Sequence, residues 1–347
     1  MHCRAICAVL GATFFLSLGL CVAVQHAAVR LRLVDVPNDR SLHKVPVPRL
    51  GGAALVVSLA MALGAGVLFF DLPLLKHGDT VALLAGASAI AILGLVDDLR
   101  PLPALARLVA QLCVSSFVLA FALRSSGVSV ALGLEVHLPR AVALVAGVLF
   151  VVATTNIYNF MDGMDGLAAV QGIGVSLVIA TACGAAAQCD LAVIGLAIAA
   201  GMAGFLVRNA PPASIFLGDA GSTFLGFTFS SLAVVAAERS SPVPFTVVPA
   251  ALAPFLLDGT FTILRRLWRR QRVWQAHRTH LYQRAVATGL SSRRVLLIYV
   301  VWCGVSAIGA LVISRTTLLG AILVAIGLAV PLALLRGLVA GREGSHP

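Results

Sequence analysis

The residues best suited to chemistry in this 347-residue chain are aspartates at the ends of apolar segments. Asp97 and Asp98 end one segment, Asp162 and Asp165 separate two others, and Asp219 begins a fourth. Burying a carboxylate in a bilayer costs roughly 3 kcal/mol or more, so such residues normally face a cavity or carry function. We therefore expect these aspartates to meet at one membrane face and form a metal-assisted active site.

The adjacent pair Asp97 and Asp98 lies in the stretch GLVDDLRPL. Neighbouring carboxylates repel each other, so a nearby cation or a shared proton is expected. Mg²⁺ sites that act on diphosphates often use one or two carboxylates together with substrate phosphates. The alternative is a solvated helix end beside Arg100.

A second polar group lies in the stretch NIYNFMDGMDGLAA, with a side chain at every third position. Its members are Asn156, Asn159, Asp162 and Asp165. On a helix this spacing keeps neighbouring members on one side. A helix cap would need one aspartate rather than two carboxylates and two amides, so the pattern favours function.

Asp219 lies where the apolar stretch GDAGSTFLGF begins. An aspartate at a helix N-terminus is often only a cap. The same helix end also suits a phosphate, and the preceding Phe216 could stack on a flat base. The motif alone leaves both interpretations open.

Two basic loops accompany these motifs. In the loop 35–52, Lys44 and Arg49 are cations held near the membrane, suited either to phosphate contacts or to setting topology and binding lipid headgroups. In the loop 265–292, arginines could contact phosphates or anionic lipids, and His277 and His280 would share a face if helical. The alternative for this second loop is a membrane-surface helix.

One further carboxylate, Asp258, lies inside an apolar segment just before the second loop. An aspartate at that depth needs a partner, and we expect an arginine of the loop 265–292.

The composition places the chain among membrane proteins that cross the bilayer many times. It is 60% hydrophobic with a mean hydropathy of +1.01, and only 11% of its residues are charged. The net charge of +11 does not indicate nucleic-acid binding, because most basic residues lie in short loops between apolar segments.

About eleven apolar segments have the length of a membrane-spanning helix. They predict one all-α polytopic domain over residues 1–347, with no internal repeat. The segments are 5–27, 52–70, 80–96, 103–123, 140–157, 166–183, 190–208, 217–237, 243–264, 293–313 and 316–336. The loop 124–139 has alternating polarity and could form a short hairpin.

The basic residues predict the orientation. With the N-terminus outside, 19 of the 25 Lys and Arg residues lie on the inner side. Positive charge concentrates in cytoplasmic loops, so the aspartate motifs are expected at the cytoplasmic face of the membrane.

The motifs PVPRLGG, GLVDDL, NFMDGMDGLA and FLGDAGS, in this order, resemble those of the polyprenyl-phosphate N-acetylhexosamine-1-phosphate transferases, glycosyltransferase family 4. The resemblance covers residues 35–284. It implies transfer of a sugar 1-phosphate from a UDP-N-acetylhexosamine to undecaprenyl phosphate, with release of UMP. It also implies a location in the bacterial inner membrane, Mg²⁺ or Mn²⁺ in its place, contact with membrane lipid, and a homodimer as an open possibility.

The resemblance also implies roles for particular residues. Asp97 and Asp98 would serve the polyprenyl phosphate, and Asp219 would hold the metal together with Asp162. Ten residues would bind the nucleotide sugar or its diphosphate. They are Lys44, Arg49, Asn159, Asp162, Asp165, Asn209, Phe216, His277, Arg278 and His280, of which His280 is also assigned to catalysis.

The last loop departs from the family pattern. The family's phospho-MurNAc-pentapeptide translocase has three consecutive histidines there, whereas this chain has HRTHLYQR. That form resembles transferases that start O-antigen chains, including some that use 6-deoxy-N-acetylhexosamines. The sugar and the roles of His277 and His280 therefore stay open.

Three other classes explain the sequence less well. A secondary transporter would place charges near the bilayer midplane and show paired broken helices. An intramembrane prenyltransferase would show two D-x-x-x-D motifs. A non-catalytic lipid-binding scaffold would not need Asp219 together with Asp162 and Asp165.

Overall fold

The computed structural model describes residues 2–30, 34–35, 45–123, 127–131, 134–271 and 278–343. Most of them are helical, which confirms the all-α membrane fold. The helices are α1 His2–Arg30, α2 Gly51–Phe70, α3 Gly78–Leu99, α4 Ala104–Ala122, α5 Arg140–Met161, α6 Leu167–Ala185, α7 Cys189–Asn209, α8 Gly218–Ala237, α9 Val247–Ala251, α10 Ala253–Trp268, α11 Leu281–Ala287, α12 Ser292–Ile313 and α13 Leu318–Glu343.

In the described part of the chain, ten helices are long and apolar enough to cross a membrane. The difference from the expected eleven lies in the segment 243–264, which is broken at Leu252 into α9 and α10. Pro254, in the first turn of α10, has no N–H to continue the helical ladder. Gln171 Nε2 donates to the carbonyl of Ala251 at 2.8 Å, so the break has a buried polar partner.

The strands are short. Val34–Asp35 (β1) pairs with Val47–Pro48 (β2), and Gly127–Ala131 (β3) pairs with Leu134–His137 (β4), both antiparallel. The second pair confirms the hairpin expected in the loop 124–139. The N–H of Phe245 donates to Ser129 O at 2.7 Å, so this hairpin supports the chain just before α9.

Helix α8 is the centre of the bundle, because 94% of an 18-residue stretch of this helix is buried. Three neighbours approach its backbone through glycines. A Cβ built on Gly94 of α3 would lie 2.4 Å from Asp219 O, and one on Gly52 of α2 would lie 2.1 Å from Gly221 N. On the side of α5, a Cβ on Gly226 would lie 2.8 Å from Thr155 Cα. Small residues allow this close packing, which drives helix association in lipid.

A buried polar cluster joins the helices at the end of α8 that is remote from Asp219. Arg239, just after α8, donates to Asp79 Oδ1 of α3 at 2.9 Å and to Asp190 Oδ1 of α7 at 2.8 Å. Thr80 Oγ1 also donates to Asp190, at 2.6 Å. Each carboxylate is paired with the guanidinium, so this cluster holds the bundle together and leaves chemistry to the opposite end.

The glycine contact between α2 and α8 generates a prediction. Gly52→Ala should destabilise the folded protein by about 1–3 kcal/mol, because the new methyl group meets backbone atoms that cannot rotate away. Gly64→Ala on the same helix is the matched control, since a Cβ there meets nothing within 4 Å. Thermal unfolding in detergent should show a lower midpoint only for Gly52→Ala. Equal midpoints for the two variants would contradict the packing.

Candidate active site at the start of helix α8

Asp98 fixes the beginning of α8 from outside that helix. Its Oδ1 and Oδ2 accept the backbone N–H groups of Asp219 and Ala220, each at 2.9 Å. The Asp98 side chain is completely buried. These contacts satisfy two N–H groups that every helix start leaves without a partner, and the negative charge suits the positive helix end. The sequence reasoning did not foresee this capping geometry.

The turn into α8 depends on Gly218, whose φ is +72°. A Cβ on this residue would lie 2.2 Å from Arg49 O and 2.7 Å from Asp98 Oδ2. Only glycine adopts this backbone conformation easily and also leaves room for the carboxylate. The sequence GD at the start of α8 therefore positions Asp219 through Gly218.

Asp97, next to Asp98, points to a different environment. It accepts the N–H of Leu102 at 2.6 Å and an Nη1–H of Arg107 at 2.7 Å. The same Arg107 nitrogen lies 3.8 Å from Asp219 Oδ2. The expected cation beside the aspartate pair is thus Arg107, which links Asp97 to Asp219.

Asp219 is the more accessible carboxylate of this group, with 26% of its side chain exposed. Asn159 of α5 donates from Nδ2 to Asp219 Oδ1 at 2.7 Å and to Ser222 Oγ at 2.8 Å. Asn159 therefore orients Asp219 from one side and Arg107 from the other, so Asp219 faces the site in a defined position.

Asp162 follows the last residue of α5 and lies among the other carboxylates. Burial, together with the charges of Asp219, Asp98 and Asp165, raises the pKa of Asp162 to about 8. Negative charge is thus concentrated at this end of the bundle. A cation bound beside these carboxylates would lower the electrostatic cost of ionising Asp162.

Asp165 and Asn209 hold the loop that leads into α8. Asp165 Oδ2 accepts the N–H of Ala213 at 2.9 Å. Asn209 is buried, accepts the N–H of Gly166 at 2.9 Å and donates to Ile215 O at 2.9 Å. Both side chains are engaged with backbone, so they position this loop. Their contact with a substrate stays a prediction.

Phe216 is placed by backbone hydrogen bonds to the segment before α2. Its N–H donates to Pro48 O at 2.7 Å, and its carbonyl accepts the N–H of Gly51 at 2.9 Å. The ring is partly exposed. The neighbouring Arg49 lies with Nε 3.7 Å from Asp98 Oδ1 and Nη1 3.7 Å from Asp35 Oδ1. Phe216 and Arg49 therefore approach the site on the same side; Lys44 lies outside the described residues.

The basic loop reaches the site through α11. Asp258 of α10 accepts the N–H groups of Leu281 and Tyr282, at 2.8 and 3.4 Å, and the hydroxyl of Tyr299 at 2.5 Å. His280 Nδ1 lies 3.7 Å from the same carboxylate. The expectation that an arginine pairs with Asp258 was therefore wrong. Among the described residues, the partners of Asp258 are the first N–H groups of α11, the hydroxyl of Tyr299, the imidazole of His280 and a threonine, Thr262.

Helix α11 packs directly against the loop that carries Asp162. A Cβ on Gly163 would lie 2.2 Å from Tyr282 Oη. Burial raises the pKa of the Tyr282 hydroxyl above its ordinary value, so this group stays neutral. His280 is buried at the N-terminus of α11, and Arg278 is exposed. His277 lies outside the described residues, and the expected contacts of these groups with a diphosphate stay predictions.

The donor set at the site fits a hard divalent cation. Among the described residues, no three His, Cys, Asp or Glu side chains form a complete metal cage. Mg²⁺ does not need one, since it usually takes one or two carboxylates together with phosphates and waters. Asp219 and Asp162 are the carboxylates that would hold it.

Arg107 is a residue of the candidate site that the motifs missed. It was counted only as a basic residue at the inner side of the membrane. The short connection 100–103 between α3 and α4 was an available signal, because a short connection returns the chain beside the aspartates. Gln111, one turn further along α4, accepts from Asn156 Nδ2 at 2.7 Å and ties α4 to α5.

Known proteins match the chain in the region of the site and beyond it. The family described as "Glycosyl transferase family 4" matches residues 80–237. A probable undecaprenyl-phosphate N-acetylglucosaminyl 1-phosphate transferase of Bacillus subtilis is 31% identical, over 85% of this chain and 81% of the relative. A decaprenyl-phosphate N-acetylglucosaminephosphotransferase of Mycobacterium tuberculosis is 30% identical, over 90% and 85%.

A third relative, a phospho-N-acetylmuramoyl-pentapeptide-transferase of Moorella thermoacetica, is 32% identical over 67% of this chain and 72% of its own length. Together with the helical bundle, these matches define a polytopic membrane transferase. The chain belongs to the polyprenyl-phosphate N-acetylhexosamine-1-phosphate transferase family, glycosyltransferase family 4.

The cap on α8 predicts that Asp98 supports the fold as well as the site. Asp98→Asn leaves a single acceptor oxygen for two N–H groups and should destabilise the protein by about 1–3 kcal/mol. Asp71→Asn is the matched control, because Asp71 is exposed and its left-handed conformation suits asparagine. Thermal unfolding should separate the two variants. An unchanged midpoint for Asp98→Asn would contradict the capping role.

Proposed function

We propose that the chain transfers an N-acetylhexosamine 1-phosphate from a UDP-sugar to undecaprenyl phosphate at the cytoplasmic face of a bacterial inner membrane. UMP is released, and the product is a lipid diphosphate sugar that starts a cell-envelope polysaccharide. The observation that carries the proposal is the position of Asp219, which is partly exposed at the start of α8 and oriented by Arg107 and Asn159.

The reaction has a simple balance. An oxygen of the lipid phosphate attacks the β-phosphorus of the UDP-sugar, and a new P–O bond forms. The bond from that phosphorus to the oxygen bridging it to the α-phosphate breaks, and the bridging oxygen leaves with UMP. The lipid phosphate is largely ionised at neutral pH, so positioning and charge stabilisation matter more than proton removal.

Both reactants are anions, and the site must offset their repulsion. Mg²⁺, or Mn²⁺, when held by Asp219 and Asp162, would neutralise part of the diphosphate charge. Arg107 lies against Asp97 and Asp219 and has 39% of its side chain exposed, so its guanidinium also offers donors to a phosphate. Arg49, 41% exposed, offers a second cation on the side of Phe216.

The geometry favours direct attack over a covalent phospho-aspartate. Both oxygens of Asp98 already accept N–H groups, and its side chain is buried. Asp97 is only 6% exposed and paired with Arg107. Neither carboxylate is placed as a free nucleophile, so we assign Asp97 an orienting role toward the lipid phosphate and Asp98 a positioning role through α8.

The choice of donor and acceptor draws on the relatives. Two of them carry N-acetylglucosamine in their names, and their lipids are undecaprenyl and decaprenyl phosphate. UDP-N-acetylglucosamine is therefore the first donor to test. The sequence HRTHLYQR makes 6-deoxy-N-acetylhexosamine donors and O-antigen initiation the alternative to distinguish from it.

The face of the membrane follows from charge. The described arginines at the carboxylate end include Arg49, Arg107, Arg208, Arg265 and Arg284. Concentrated positive charge marks the cytoplasmic side, where nucleotide sugars are made, and this supports the proposed orientation.

The test is UMP release by the purified protein with undecaprenyl phosphate, Mg²⁺ and UDP-sugars. Asp97→Asn and Asp219→Asn should each lower the rate roughly a hundredfold or more, since a preorganised charge is lost where charge develops. Asp71→Asn, the same exchange at an exposed position remote from the site, should keep the rate.

Two outcomes would count against the proposal. Unchanged UMP release in both site variants would remove Asp97 and Asp219 from the reaction. Absence of lipid-dependent UMP release from every UDP-N-acetylhexosamine, with folded wild-type protein, would reject the transferase reaction itself. Comparing UDP-N-acetylglucosamine with its 6-deoxy analogues in the same assay would identify the sugar.

A further inference from the structure

A basic cavity lies on the other side of α10 and α11 from the aspartates. Its volume is about 380 Å³. Three helical elements contribute to it: the end of α10, helix α11 and the last part of α13. The side chains that define its character are Arg265, Arg269, Arg284, Arg336, Phe261 and Trp268. We call this cavity the arginine pocket.

The pocket lies at the same end of the bundle as the active site. Arg284 follows Gln283 on α11, the helix whose Tyr282 packs on Gly163 of the Asp162 loop. Leu264 and Trp268 at its margin are 59% and 91% exposed, so its rim belongs to the surface that meets the membrane. Tryptophan and arginine at such a rim are typical of the boundary between lipid tails and headgroups.

The arginines in the pocket are more concentrated than is needed to set the orientation of the chain in the membrane. Four guanidinium groups line one concavity, two from the end of α10, one from α11 and one from α13, and none of the described lining residues is acidic. Arg336 is held with its guanidinium carbon 5.0 Å from the centre of the Phe261 ring. This cation–π contact fixes Arg336 toward α10 rather than leaving it extended into water.

We propose that the arginine pocket binds the phosphate headgroup of an anionic membrane phospholipid. Arginine forks match phosphate oxygens, and basic pockets between membrane helices at this depth bind acidic headgroups. The exposed apolar side chain of Leu264 lines the pocket, where acyl chains would continue from the headgroup.

A phospholipid fits better than a reacting substrate. The carboxylates that would hold a metal, Asp162 and Asp219, do not line the pocket, so the proposed transfer reaction would take place elsewhere. A bound headgroup would instead link α10, α11 and α13. Since α11 supports the Asp162 loop, this lipid would stabilise the wall of the active site.

The experiment measures binding and needs no catalytic turnover, so its failure is distinguishable from failure of the proposed function. Protein carrying Trp274→Phe is placed in nanodiscs of phosphatidylcholine with bromine-labelled phosphatidylglycerol or bromine-labelled phosphatidylcholine. Trp268 lies at the rim of the pocket, whereas Trp302 is buried. Bromine on phosphatidylglycerol should quench the fluorescence of Trp268 more strongly.

The test variant combines Arg269→Gln with Arg336→Gln. Each arginine near an anionic lipid is worth roughly fivefold in binding, so the preference for phosphatidylglycerol should fall about 25-fold. The matched control combines Arg293→Gln with Arg294→Gln, which removes the same charge from exposed positions at the start of α12. The control should keep the preference.

Equal quenching by the two labelled lipids in the unaltered pocket would overturn the proposal. Equal loss of preference in the test and control pairs would also overturn it, because binding would then follow total charge. Displacement of phosphatidylglycerol by undecaprenyl phosphate at a much lower mole fraction would assign the pocket to the acceptor lipid instead.

Discussion

The site depends on one constraint, which is that the N-terminus of a nearly completely buried helix must begin at a fixed point. Asp98 supplies this by accepting two N–H groups of α8, and Gly218 lets the chain turn beneath that carboxylate. The Asp98 side chain is completely buried, so the cap is costly to lose. Because Asp219 is part of the capped turn, its position relative to Arg107 and Asn159 follows from this cap.

The same device recurs at α11, where buried Asp258 accepts the first N–H groups of the helix. These two carboxylates differ from Asp219 and Asp162, which lie where a ligand can reach them. A row of aspartates in the sequence therefore serves two purposes. Some compensate helix ends so that the loops between spans are rigid, and the others would keep negative charge for the cation and phosphates of the proposed reaction. Arginines contact both kinds of aspartate, since Arg49 lies beside Asp98 and Arg107 lies beside Asp219.

The sequence predicted the membrane fold, the hairpin after α4 and the convergence of distant aspartates, because hydrophobic length and buried charge are local signals. It could not assign different roles to Asp97 and Asp98, since adjacent residues on a helix differ only in the direction of their side chains. Tertiary packing decides which of the two caps α8. The break at Leu252 was hidden inside a continuous apolar segment. Arg107 was missed because its importance comes from the return of α4 beside α3, which spacing along the chain does not show.

The central proposal is that Asp219 would hold the divalent cation on which phosphate transfer would depend, and replacing its carboxylate by a different ligand atom tests this most directly. Asp219→Cys should be inactive with Mg²⁺, since a thiolate is a poor ligand for a hard cation, and should regain UMP release with Cd²⁺, which prefers sulfur. Wild-type protein and Asp71→Cys, assayed in the same solutions, should show no gain from Cd²⁺. Full activity of Asp219→Cys with Mg²⁺, or no recovery of the folded variant with Cd²⁺, would contradict the account.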